Sequence, residues 1–206
     1  MQQHWDQFHA ATPADRTGFW EPTPETSLRV VEHAGLAADD LILDAGGGAS
    51  TFVDSLLERG HTNLAVADIS AVALERARER LGERAALVRW LTADLSDASA
   101  LPEVRDVALW HDRAVLHFLT AAEDREAYSA IVDRVVRPGG YAALAAFSLT
   151  GAEACCDLPV RNYDASMLGE VLGPAFELVE AFDHLYINPA GDPRPYVYTL
   201  FRRVSA

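Results

Sequence analysis

The sequence predicts an α/β fold, a mainly parallel sheet with helices on both faces. Three observations predict it. Apolar runs of strand length alternate with helical patterns from Leu41 to Phe147. The first run, LILDA (Leu41 to Ala45), empties into three consecutive glycines, a turn that lets a backbone approach a ligand closely. The last third changes rhythm and ends in an aromatic, β-branched run, YVYTLF (Tyr196 to Phe201), after the turn chemistry of NPAGDP (Asn188 to Pro193).

Each element follows from its own signals. The first 27 residues are polar and aromatic and read as an N-terminal cap with short helices. A helical pattern over Glu25 to Gly35 puts Leu28, Val31 and Leu36 on one face, with Gly35 as its C-cap. LILDA is the first strand, and a helix from Ser50 to Arg59 follows it, stopped by Gly60. NLAVAD (Asn63 to Asp68) is the second strand; the helix Ala71 to Leu81 ends at Gly82. Ala85 to Ala93 holds a third strand and Val104 to Trp110 a fourth. A helix over Asp124 to Val136 stops at a Pro138-Gly139-Gly140 breaker, and Tyr141 to Phe147 is the fifth strand. A helix at Ala165 to Leu172 leads to an antiparallel pair, Phe176 to Ile187 and Tyr196 to Arg203, that completes the sheet. The chain reads as one domain over 1–206: a cap (1–27), a core (28–150) and a C-terminal helix and hairpin (151–206).

Composition narrows the function. With 206 residues, half of them hydrophobic, the chain has the length and make-up of one globular domain. Its formal net charge of −14 argues against a partner with a phosphate backbone or an anionic membrane surface. The arginines of ERARERLGER (Glu75 to Arg84) interleave with glutamates, the pattern of a solvated helix face. There is no lysine, which excludes lysine Schiff bases and a P-loop lysine. No apolar run reaches the ~20 residues of a membrane span, and the N-terminus lacks a basic-then-apolar signal pattern. The expected location is the cytoplasm. Cys155 and Cys156 are the only cysteines. An inert loop pair is the plain reading; paired soft thiols that take a metalloid are the sharper one. No metal ion is expected.

The glycine turn suits either of two cofactor classes. GGGAST (Gly46 to Thr51) begins like a dinucleotide fingerprint but has Thr51 where the third glycine belongs. Asp44, two residues before the turn, is unhelpful beside a pyrophosphate, whereas an ammonium and a sulfonium welcome it. Asp68 ends the second strand, where a carboxylate accepts both ribose hydroxyls of either cofactor. The residues after Thr150 are used up by a helix and a hairpin, leaving no substrate domain of the kind dinucleotide enzymes carry. The balance favours S-adenosylmethionine.

In LDAGGGAS (Leu43 to Ser50), VADIS (Val66 to Ser70), LTADL (Leu91 to Leu95) and RPGG (Arg137 to Gly140), in this order, the chain resembles class I S-adenosylmethionine-dependent methyltransferases. HWDQF, LWHDRAVLHFLT (Leu109 to Thr120) and CDLPVRNYD (Cys156 to Asp164) are similar to a group of small bacterial members, itself similar to a protein-lysine methyltransferase branch. The resemblance implies a Rossmann-like sheet of seven strands, the last antiparallel. It implies that Gly46 and Gly48 admit the methionyl part of the cofactor and that Asp44 orders that end. Asp68 would hold the ribose, with Ile69 beside it, and Asp94 the adenine amino group, with Leu95 adding a backbone contact.

Methyl transfer is an in-line displacement for which the protein aligns the acceptor and manages a proton. His111, Asp112 and Arg113, just past the fourth strand, are the candidate catalytic residues. His111 suits a general base, Asp112 an orienting or binding carboxylate, and Arg113 an anchor for an acceptor carboxylate or an ion-pair partner. The alternative is that they cap the next helix and brace the N-terminal segment. His117 reads as a buried structural histidine. Trp20 and Trp5 suit a lid over the cofactor. Tyr163, Tyr186 and Arg194 are candidates for acceptor recognition. The expected partner is a small-molecule acceptor, with a protein lysine as the nearest alternative and a non-catalytic cofactor-binding module as a third.

Overall fold

A computed structural model describes residues 1–204. Helix α1 (Gln2–Ala11) and a 3₁₀ turn (Ala14–Arg16) form the cap, and α2 (Glu25–Ala34) ends at Gly35 in the left-handed conformation. The core then alternates β1 (Ile42–Ala45), α3 (Phe52–Glu58), β2 (Leu64–Asp68), α4 (Ala71–Leu81), β3 (Val88–Thr92), β4 (Val107–Arg113), α5 (Ala122–Val135) and β5 (Val136–Phe147). A short hairpin, β6 (Ala154–Cys155) and β7 (Leu158–Pro159), precedes α6 (Ala165–Leu172), β8 (Phe176–Ile187) and β9 (Pro193–Arg203).

The seven long strands make one sheet in the order β3-β2-β1-β4-β5-β9-β8. Strands β1 to β5 pair in parallel, and β9 enters antiparallel between β5 and β8. The order reverses beside β1, which makes the carboxyl ends of β1 and β4 the switch point where such sheets hold ligands. β1 is buried at all four residues, as expected of a parallel strand covered on both faces. One core cluster packs Leu43, Trp110 and Leu144 against Tyr128 and Ile131 of α5. The other packs Ile42, Leu109 and Ala143 against α2 and α3 through Leu28, Val31, Phe52 and Leu56.

Three readings of the sequence change. β4 does not stop at Trp110 but runs on through His111, Asp112 and Arg113, hydrogen-bonded between β1 and β5. Pro138-Gly139-Gly140 does not precede the fifth strand; it lies inside β5, where the register against β4 shifts between Val107 and Leu109 and Gly139 takes φ 75°. The β6–β7 hairpin carries no alternating pattern that would announce it. Its turn places Cys156 and Asp157 at positive φ of 51° and 62°.

Candidate active site

The cofactor end of the site is built by β1, the glycine turn and β2. The turn is folded tightly onto β2: the Gly46 and Gly47 amides both donate to the Ala67 carbonyl, at 2.6 and 3.3 Å. A Cβ on Gly46 would lie 1.9 Å from Val115 Cγ2, one on Gly47 2.3 Å from Asp44 Oδ2, and one on Gly48 2.9 Å from Asp68 Oδ2. The turn thus needs glycines to sit among two carboxylates.

Asp44 is 4% exposed. Its Oδ1 meets His111 Nδ1 at 2.7 Å, while Oδ2 is buried without any hydrogen-bond partner. An unmet buried carboxylate oxygen calls for a donor, preferably a cation. Asp68 accepts the Ser70 amide at 2.7 Å. Burial above all, then the neighbouring Asp44 and Asp6 carboxylates, push its pKa up to about 7 against the amides of Ser70 and Gly48, which pull it down. Asp94 is exposed; its Oδ1 accepts from the Ser96 amide and hydroxyl at 2.9 and 2.6 Å, so it caps its own turn.

These groups line one open cleft of about 1330 Å³, a volume that includes its mouth and open solvent. Its wall includes Asp44, Gly46, Gly48, Asp68, Ile69, Asp94, Leu95, Trp20, His111 and Arg113. Ten of the eleven site residues expected from the sequence therefore converge on it, and Asp112 does not.

The period of a strand explains the division. His111 and Arg113 share the face of β4 that Asp44 shares on β1, and Asp112 points the other way, beneath the sheet. There its carboxylate accepts the Val115 and Leu116 amides at 2.8 and 3.1 Å and the Tyr128 hydroxyl at 2.6 Å, and Tyr128 in turn accepts from Trp110 Nε1 at 2.8 Å. Burial raises Asp112 to about 6 despite these donors. Asp112 thus braces the turn after β4. His111 is buried too, stacked on Phe52 at 4.0 Å, with Nδ1 on Asp44 and Nε2 on Ser27 Oγ at 2.9 Å. Neither nitrogen is left to take a proton from an acceptor directly.

Arg113 stands at the other end of the cleft. Its Nη1 donates to the Phe19 carbonyl at 2.9 Å, Nε donates to the Tyr198 hydroxyl at 3.1 Å, and Nε lies 3.3 Å from Glu21 Oε2. The guanidinium lies over the Tyr186 and Tyr196 rings, 5.0 and 5.1 Å from their centroids. Phe118, Phe147, Tyr196 and Cys155 wall this end. Cys155 Sγ is 3.7 Å from Cys156 Sγ. The hydrogen bond from Cys156, with Arg194 and Arg113 nearby, draws the Cys155 thiol down against the effect of burial. Of the C-terminal candidates, Tyr186 reaches the site indirectly, donating to the Trp20 carbonyl at 2.5 Å, Arg194 pairs with Asp192, and Tyr163 is buried elsewhere.

α1 crosses the cleft. The Ser70 hydroxyl holds Asp6 at 2.7 Å on the β2 side, and Arg76 of α4 donates to the Thr12 and Ala10 carbonyls at 2.5 and 3.1 Å. On the β4 side Trp5 packs edge-on against Phe118 at 5.0 Å. Met1, Trp5 and His9 therefore join the wall. Burial, reinforced by Arg76, lowers His9 to about 4 and keeps it neutral. Ser27, Glu21 and His9 were missed in the sequence because they lie outside any motif, His9 just past HWDQF; Ser27 is an ordinary small residue on a helix's buried face. His117 is buried as expected, lowered to about 3 by burial and then by Arg113. Among the described residues no group of three His, Cys, Asp or Glu is placed to hold a metal ion, and no helix is long and apolar enough to cross a membrane.

A sheet of this order with its seventh strand antiparallel, and a glycine turn between two carboxylates at the switch point, defines the class I S-adenosylmethionine-dependent methyltransferase architecture. Residues 42–140 match the family described as methyltransferase domain. That stretch is just under half of the chain, and S-adenosylmethionine-dependent methyltransferases are among the solved structures the chain is similar to. No curated protein matches it in sequence. Similar solved structures include the protein described under the conversion of a disulfide bond into a thioacetal group during echinomycin biosynthesis, at 19% identity and TM-score 0.77, covering 99% of this chain and 93% of that one. A methyltransferase from Anabaena variabilis matches at 16% identity and TM-score 0.74 over 98% and 93% of the two chains. The Burkholderia thailandensis 1,6-didemethyltoxoflavin-N1-methyltransferase, solved with its substrate and S-adenosylhomocysteine, matches at 21% identity and TM-score 0.68 over 88% and 78%. At these identities the likeness is one of fold.

Proposed function

We propose that this methyltransferase acts on a small-molecule acceptor in the cytoplasm. One observation carries the reading: α1 is pinned across the cleft from Ser70 and Arg76 on one side to Phe118 on the other. An acceptor has to fit beneath it, among Phe118, Phe147 and Tyr196. A lysine on a folded partner would have to displace the helix first. The small-molecule substrate of the Burkholderia structural neighbour agrees with this choice.

S-adenosylmethionine supplies an electrophilic methyl group on a sulfonium when bound. The residues present fit it: Asp44 Oδ2 lacks a donor, and the glycines let the turn fold tightly against the Asp44 and Asp68 carboxylates at the edge of the cleft. In the proposed assignment Asp44 holds the ammonium, Gly46 and Gly48 admit the methionyl backbone, and Asp68 accepts the ribose hydroxyls. Ile69, Asp94 and Leu95 border the adenine, and Trp20 covers the methionyl end. Arg113 anchors an oxygen of the acceptor, while His111 and Asp112 hold the site in shape from either face of the sheet. Alignment under a closed lid is the main catalytic contribution.

Incubation with methyl-labelled cofactor, once with a metabolite extract and once with a protein extract, tests this. Label is expected in the low-molecular-weight fraction. Label confined to protein rejects the small-molecule reading, and tight cofactor binding with no transfer to either extract rejects catalysis in favour of a binding module.

A further inference from the structure

Asp44, His111 and Ser27 form a buried row, with His111 Nδ1 2.7 Å from Asp44 Oδ1 and Nε2 2.9 Å from Ser27 Oγ. A carboxylate only accepts, so Nδ1 carries the proton that meets Asp44. In the Nδ1–H tautomer Nε2 then accepts from the Ser27 hydroxyl. All three residues are buried, so a ring turned away from this arrangement leaves polar groups unmet.

We propose that Ser27 is a positioning residue for methyl transfer, holding His111 in its Nδ1–H tautomer so that Asp44 presents its free Oδ2 to the cofactor's ammonium. The inference rests on the cleft being the cofactor site.

The test pairs the nitrogen NMR spectrum of the His111 ring, recorded without cofactor, with calorimetry of S-adenosylmethionine binding in wild type and Ser27→Ala. The wild-type ring is expected as the Nδ1–H tautomer, and Ser27→Ala is expected to lose that order and bind about tenfold more weakly. An unchanged tautomer in Ser27→Ala, or a lost tautomer with unchanged binding, overturns the proposal. Because the tautomer is read without cofactor, a failure of the row is distinguishable from a failure of the cofactor assignment, which would show as a wild type with an ordered ring and no binding.

Discussion

At the scale of single residues, the glycine turn shows two different reasons for a glycine. Gly46 takes φ +69° and faces Val115 at a distance no Cβ survives, whereas Gly35 takes φ +63° with nothing within 4 Å. Both need the left-handed conformation, which costs an L side chain about 1–2 kcal/mol. Only Gly46 adds a steric collision, about 1–3 kcal/mol more when a packed site is overfilled. Gly46→Ala is therefore expected to lose roughly 2–5 kcal/mol in urea denaturation and to lose cofactor binding, while Gly35→Ala loses about 1–2 kcal/mol and binds normally. Equal losses would mean that close approach has no part in the turn. The sequence makes the three glycines conspicuous but not this distinction, since Val115 lies far along the chain from Gly46 and no local pattern pairs them.

At the scale of elements, what was legible is what local patterns encode. Strand runs, helical periodicity, Gly35, Gly60 and Gly82 as helix stops, and the final hairpin all correspond to elements found. His111, Asp112 and Arg113 were misplaced because three polar residues after an apolar run look like a loop. Inside a protein they can stay in strand when each finds a partner, and here Asp44, the turn amides and Tyr198 supply those partners. The alternation of a strand then splits the triplet, two residues to the cleft and one beneath the sheet. Trp5 and Trp20 suited a lid in the sequence, but what pins α1 was illegible for a related reason: the Asp6–Ser70 contact spans 64 residues and has no local signature. It can be tested alone. Arg76→Ala removes the guanidinium that holds the last turn of α1, and is expected to raise amide exchange over residues 2–11 and the KM for cofactor severalfold, with kcat changing less. Unchanged exchange would show that Trp5 and Asp6 hold the helix without it.

At the scale of the whole molecule, four buried groups set how stability responds to pH, and they oppose one another. Asp68 and Asp112, raised to about 7 and about 6, keep protons in the folded state that the unfolded chain releases near its ordinary carboxylate pKa of about 3.9. Their contribution is full below that value and is lost as pH rises through the folded values. His9 and His117, lowered to about 4 and about 3, lack protons that the unfolded chain holds up to about 6.5, so their contribution is lost as pH falls. Between about pH 4 and 6 two protons gained offset two missing, and these four groups leave stability nearly flat. His117→Leu removes one opposing proton. Relative to wild type its stability is expected to fall by about 1 kcal/mol per pH unit across that window, read from denaturation at several pH values, and parallel curves would reject the buried neutral histidine. Of these four groups in the folded state, Asp68 titrates nearest pH 7. In its proposed role the ribose hydroxyls donate to the carboxylate form, so cofactor binding releases the Asp68 proton and tightens as pH rises through about 7. The rise in melting temperature produced by saturating S-adenosylmethionine should therefore be larger at pH 8 than at pH 6, and Asp68→Asn should abolish that difference. An equal rise at both pH values in wild type would remove Asp68 from the cofactor site.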